Sequence, residues 1–97
     1  FAAQVPLEVA ELACQSFDMI EAMVEKGNPN SITDDGVGAL CARAAVRGAV
    51  MNVKINLKGF GDKDFVEKTI QKANDLQMDA DARESRISER VYKEIEG

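Results

Sequence analysis

From Leu7 the apolar residues return every three or four positions, through Ala10, Ala13 or Cys14, Phe17, Ile20 and Val24, while Glu11, Asp18, Glu25 and Lys26 fall off that stripe. One dry face and one wet face at this period predict an amphipathic helix from Pro6 to Lys26. Pro6 suits a first turn, where its missing N–H costs nothing, and Glu8 and Glu11 suit the positive end of the helix dipole. Gly27 supplies the left-handed residue that commonly ends a helix. Asn28-Pro29-Asn30-Ser31 then forms a turn, because Pro29 biases its predecessor away from helix and asparagine bonds readily to nearby backbone.

The stretch from Gly27 to Lys58 organises the rest. Thr33 is the expected N-cap of a second helix, with Asp34 and Asp35 at its positive end. One apolar stripe runs Val37, Cys41, Ala44, Gly48, Met51, Ile55; a second, turned by one position, runs Gly38, Ala42, Ala45, Ala49 and then meets Asn52 and Asn56. Val46, Val50, Val53 and Leu57 fill the gaps. Beyond the first turn the only charges before Lys58 are Arg43, Arg47 and Lys54, so most faces are apolar and small residues let a neighbouring backbone approach closely. The expected role is that of a core helix, apolar on more faces than two neighbours can cover.

Gly59-Phe60-Gly61 punctuates the chain, and Asp62 is positioned to cap a third helix carrying Asp64 in its first turn, with Phe60 packing back as a staple. Val66, Ile70, Ala73, Ala80, Ile87 and Val91 fall on a heptad grid, but Gln77 and Glu84 occupy positions where a coiled coil wants Leu. A helix from Asp62 to Glu96 reaches on the order of 50 Å. Its last turns, with Arg83, Arg86, Arg90 and Lys93, are expected to project or to lie on another subunit. The fold class is therefore all-α, three long helices packed as part of a larger oligomeric helical bundle.

Charge and composition remove whole classes of function. With 17 carboxylates against 12 Lys and Arg in 97 residues, the net charge of -5 disfavours nucleic acid as a partner. Arg43, Arg47 and Lys54 interrupt the longest apolar run well short of the roughly 18 residues that span a bilayer, and Phe1-Ala2-Ala3 has no signal-peptide character, so no membrane role and a cytoplasmic location are expected. Cys14 and Cys41 lie in helix interiors and read as two reduced, packed thiols.

The chain contains no histidine, which rules out a Ser-His-Asp or Cys-His unit and any His-bearing zinc site within it. No Gly-rich phosphate loop is present. What stands out is polarity in apolar surroundings. Asn52 and Asn56, one turn apart, each need a partner, either an interhelical hydrogen bond or a ligand. Arg43 and Arg47 are suited either to salt bridges with the first or third helix or to an anion site. Asp34 and Asp35 serve as dipole partners or as bases.

Three stretches now carry a resemblance: PLEVAE at Pro6 to Glu11, GNPNSITDDG at Gly27 to Gly36, and NVKINLK at Asn52 to Lys58. In order and spacing over about the first 60 residues the chain resembles the cyclodeaminase/cyclohydrolase family. That family includes the C-terminal domain of formiminotransferase-cyclodeaminase and the stand-alone methenyltetrahydrofolate cyclohydrolases. The resemblance implies an all-helical, homo-oligomeric enzyme acting on a reduced one-carbon folate as substrate, with no metal or other cofactor. By it, Gly27, Asn28, Asp34, Gly36, Asn52 and Asn56 fall on family motif positions, and Asp35 stands where a small or apolar residue is more usual.

The family's domain also has an N-terminal half, with a Gly-rich stretch and the aspartate usually assigned to catalysis, and nothing here matches it. A chain that starts at Phe1 is accordingly expected to be the C-terminal half of such a domain, residues 1–97, inactive alone and without an identifiable catalytic base. The substrate-binding candidates are Asn28, Asp34, Asn52 and Asn56, with Arg43, Arg47 and Lys54 available to the anionic glutamate tail. The competing expectation is a non-catalytic helical oligomerisation or interaction module, in which the polar residues only fix register.

Overall fold

A computed structural model describes residues 2–97. Helix α1 (Gln4–Lys26), helix α2 (Ile32–Leu57) and helix α3 (Lys63–Glu96) follow one another with two short connections, and no strand occurs among the described residues. Consecutive helices run antiparallel. Asn56 near the end of α2 reaches the carbonyl of Ala2, and Gly36 at the start of α2 faces Val91 near the end of α3. The particle measures 53 × 17 × 16 Å, so its long dimension is that of α3.

The helix ends follow local chemistry with two corrections. Gly27 closes α1 in the left-handed region at φ 67°, donating its N–H to Val24 O at 3.0 Å, and Asp62 caps α3 by accepting the N–H of Phe65 at 3.1 Å. Phe60 packs back on Phe65 with ring centroids 5.5 Å apart, as a staple should. However, α2 begins at Ile32, not after Thr33: Ser31 occupies the cap position, its side chain makes no cap hydrogen bond among the described residues, and Thr33 lies exposed in the first turn. Burial of Ile32 decides this start, drawing the helix forward so that Asp35 N–H already bonds Ser31 O. Helix α1 likewise begins two residues before Pro6, which leaves Glu8 outside the first turn, accepting from Gln4 at 3.0 Å.

The core forms around Phe17, Val46, Val50 and Val53, whose side chains are fully buried. On α2 the covered face is Ala39, Ala42, Val46, Ala49, Val50, Val53 and Leu57, the residues between the expected stripes as much as those in them. The stripe Val37, Cys41, Ala44, Met51, Ile55 is instead exposed, because α1 and α3 are amphipathic and each brings one dry face to the same side of α2. Of the two thiols expected to be packed, Cys14 is buried and Cys41 is exposed, and both are free.

The distal part of α3 does not project. Ala80, Glu84, Ile87 and Val91 are buried along the other two helices, leaving only Tyr92 to Glu96 exposed beyond them. Arg83 holds it there: its guanidinium donates to Glu21 at 2.8 Å, to Asp18 and to the carbonyl of Cys14, and lies 5.7 Å from the centroid of the Phe17 ring. These hydrogen bonds, first Glu21 and then Asp18, raise its pKa above the ordinary arginine value. No helix is long and apolar enough to cross a membrane among the described residues.

Candidate functional site

Where α2 passes the start of α1, the small side chains Ala44, Ala45, Gly48 and Ala49 keep the two helices from filling the space between them. A groove of about 480 Å³ results, walled on the other side by Val5, Pro6 and Val9 and ended by Asn52 and Asn56. The two amides are exposed rather than enclosed in the core. Their roles differ: Asn56 Nδ2 donates to Ala2 O at 3.2 Å, whereas the Asn52 side chain has no partner among the described residues. An apolar trough with an unpaired amide at its wall can receive a flat, largely apolar ligand and fix its orientation through one polar edge.

Lys54 lies across α2 from this groove. It lines a second cleft of about 400 Å³ at the α2–α3 turn, with Leu57, Phe60, Val66 and Ile70 forming the apolar part and Lys58 and Lys63 beside it. None of the three lysines is in an ion pair among the described residues, so their positive charge is open to an anion. Sequence reasoning picked out Lys54 and passed over Lys58 and Lys63; the available signal was three lysines flanking one Gly-Phe-Gly turn.

Arg43 and Arg47 turn to α3. Arg43 Nε meets Asp81 at 2.8 Å and its Nη1 meets Glu84 at 2.9 Å, while Arg47 Nη1 meets the other oxygen of Asp81 at 3.2 Å. Hydrogen bonds to Asp81 and then Glu84 hold the Arg43 guanidinium above its usual pKa. Of the alternatives open at the level of sequence, the structure displays the salt bridges. Glu84, flagged as a misfit in the heptad seam, is the buried partner, and it also accepts from Ser88.

Asn28 and Asp34 sit at the other end of the molecule. The Asn28 Oδ1 accepts the N–H of Asn30 at 3.0 Å and its carbonyl accepts that of Ser31 at 3.1 Å, which ties the turn, and Asp34 is exposed in the first turn of α2. Eighteen residues of helix, about 27 Å, separate Asp34 from Asn52, so one chain does not bring these candidates together. Asp35 is buried, and its Oδ2 has no hydrogen-bond partner among the described residues. No group of three or more His, Cys, Asp or Glu is gathered as a metal site among the described residues.

The chain is thus a three-helix all-α scaffold with an apolar interhelical groove edged by two amides and, across α2 from it, a cleft bearing three lysines that form no ion pair among the described residues. Residues 1–75 match the sequence profile of the formiminotransferase-cyclodeaminase family, and the chain belongs to that family. It is 37% identical over 94 residues to a methenyltetrahydrofolate cyclohydrolase of Methylorubrum extorquens, covering 97% of this chain and 45% of that protein. It is 35% identical over 79 residues to a formimidoyltransferase-cyclodeaminase of Rattus norvegicus, covering 81% of this chain and 15% of that protein. The chain thus spans less than half the length of these curated relatives.

Proposed function

We propose that the protein acts on a reduced one-carbon tetrahydrofolate, as a formiminotetrahydrofolate cyclodeaminase or a methenyltetrahydrofolate cyclohydrolase, hence a lyase or a hydrolase. In the first reaction N10 of the folate attacks the formimino carbon on N5 and ammonia leaves; in the second, water attacks the cationic methenyl carbon between the same nitrogens. Family membership supports this reading, and the observation that carries it is the α1–α2 groove, every lining residue of which falls within the family-matched stretch.

In this proposal the ring system lies in the groove against Ala45 and Ala49, with Asn52 bonding its polar edge. Lys54 and Lys63, in the cleft across α2, offer charge to the anionic tail. Both reactions need a carboxylate to move protons and to stabilise the cationic carbon, and neither chemically requires a metal or a resident cofactor. Among the described residues no carboxylate lines the groove, so this role is assigned to a residue outside it. The working form is a cytoplasmic homo-oligomer, favoured by the apolar surface that one chain leaves bare.

Methenyltetrahydrofolate absorbs in the near ultraviolet, and both reactions can be followed by it in the intact protein. Its loss reports cyclohydrolase, and its appearance from the formimino substrate, with release of ammonia, reports cyclodeaminase. The expected result is one of these changes without added metal. No change with either substrate would leave a helical interaction module as the better description, and activity abolished by chelator and restored by zinc would contradict the mechanism.

A further inference from the structure

The bare stripe of α2 has the form of a coiled-coil seam. Val37, Cys41, Ala44, Gly48, Met51 and Ile55 recur at alternating steps of four and three. Val37, Met51 and Ile55 are 58%, 66% and 63% exposed, and among the described residues nothing lies within 4 Å of a Cβ placed on Gly48. A second bare seam, Val5, Val9, Leu12, Met19 and Met23, runs along α1, and the groove with Asn52 lies between the two. Together they form a two-helix apolar face.

The α2 seam also carries a code for its partner. Its side chains are large at both ends and small in the middle, and the same spacing carried outward reaches Asp34 in the first turn and Lys58, the extended residue just past the last. Both are exposed, and neither is in an ion pair among the described residues. Against a second copy in parallel, Asp34 would meet Asp34 and Lys58 would meet Lys58. Antiparallel about Val46, Asp34 faces the partner's Lys58 at both ends, Ala44 faces the partner's Gly48 at the closest approach, and Cys41 faces the partner's Met51. The α1 seam lacks such a pairing, since its outward positions are Ala2 and Lys26.

We propose that a second copy of this chain covers the face, with the two α2 helices packed antiparallel about Val46. This rests on the self-association proposed above and adds to it the face and the register. It has a consequence for the site. The antiparallel register sets Asp34, and the turn of Asn28 before it, beside the end of the partner's α2 that bears Asn52 and Asn56. Candidates that lie about 27 Å apart in one chain then converge across the interface. Each groove is completed by the other copy.

Two measurements on the intact protein test this. Met51→Cys places a thiol opposite the partner's Cys41, and mild oxidation should give a covalent dimer that is absent from the wild type and from M51C/C41S. In the wild type the two Cys41 residues are offset by roughly 15 Å along the helices and should not link. Asp34→Lys and Lys58→Glu should each weaken dimerisation by about tenfold in sedimentation equilibrium, and the double variant should recover most of the loss. A dimer that neither cross-links through M51C nor responds to the charge changes would overturn the face and register while self-association stands. A protein that stays monomeric at all concentrations would overturn both.

Discussion

Arg43 Nη1 on α2 meets Glu84 Oε1 on α3 at 2.9 Å, and Glu84 is buried where a heptad seam calls for Leu. A carboxylate removed from water is stable there only because the arginine and Ser88 satisfy it. Arg43 is also held by Asp81, so the two partners are not equivalent. Arg43→Met should strand Glu84 and lower stability by about 1–3 kcal/mol. Glu84→Leu should be close to neutral, because Arg43 keeps Asp81 and the seam gains an apolar residue. Denaturant unfolding of both variants decides the matter; equal losses would show that Glu84 is not sustained by Arg43.

Gly36 is a close-approach glycine. A Cβ there would lie 3.1 and 3.3 Å from the two methyl groups of Val91. Gly36→Val should therefore destabilise the α2–α3 contact by about 1–3 kcal/mol through overpacking. In a Val91→Ala background, Gly36→Ala should be stabilising, since the clash is gone and alanine is favoured over glycine in a helix by about 1 kcal/mol. Thermal melts of the three proteins test the assignment, and a Gly36→Val protein that melts like the wild type would refute the close contact.

Cys14 is buried on α1, its thiol 3.4 Å from the Leu76 carbonyl, and burial first, then the charge of Asp79, raise its pKa above 9.0. The sign follows directly. The neutral thiol is favoured in the folded state, so its contribution is fully present below about pH 9 and is lost as pH rises through the unfolded and then the folded value. Stability should fall with rising pH in that alkaline range, and the slope should be smaller in Cys14→Ala. At neutral pH, Cys14 should resist thiol reagents until the chain unfolds. Rapid labelling of Cys14 in the native protein would contradict its placement.

Asn52 and Asn56 should respond differently to substitution by Leu. Asn56 gives one exposed hydrogen bond to the Ala2 carbonyl, so its loss should cost about 0.5–1 kcal/mol. Asn52 makes none among the described residues, and Asn52→Leu should leave the melting temperature unchanged while weakening folate binding by roughly tenfold, the value of one polar contact. Calorimetric titration with a reduced folate beside thermal melts separates the two effects. If both variants melt early and the folded protein binds folate normally, the assignment of Asn52 to the ligand fails.

The chain by itself determined the three helices and most of their ends. The left-handed Gly27, the capping Asp62 and the period of Leu7 to Val24 act within a few residues of sequence, and local geometry answers them directly. It also singled out Asn52, Asn56 and Lys54 as polar residues on an apolar helix. Tertiary structure decided which side of α2 is dry. Val46 and Val53 became the core and Met51 and Ile55 were left bare, because a helix apolar on most faces gives no local preference among them, and the choice rests with two amphipathic neighbours. The same packing gave Arg43 a buried partner in Glu84, a residue 41 positions away, and fixed the start of α2 through the burial of Ile32. Such pairings depend on how long helices lie against one another, and no window of sequence shorter than the whole chain contains that information.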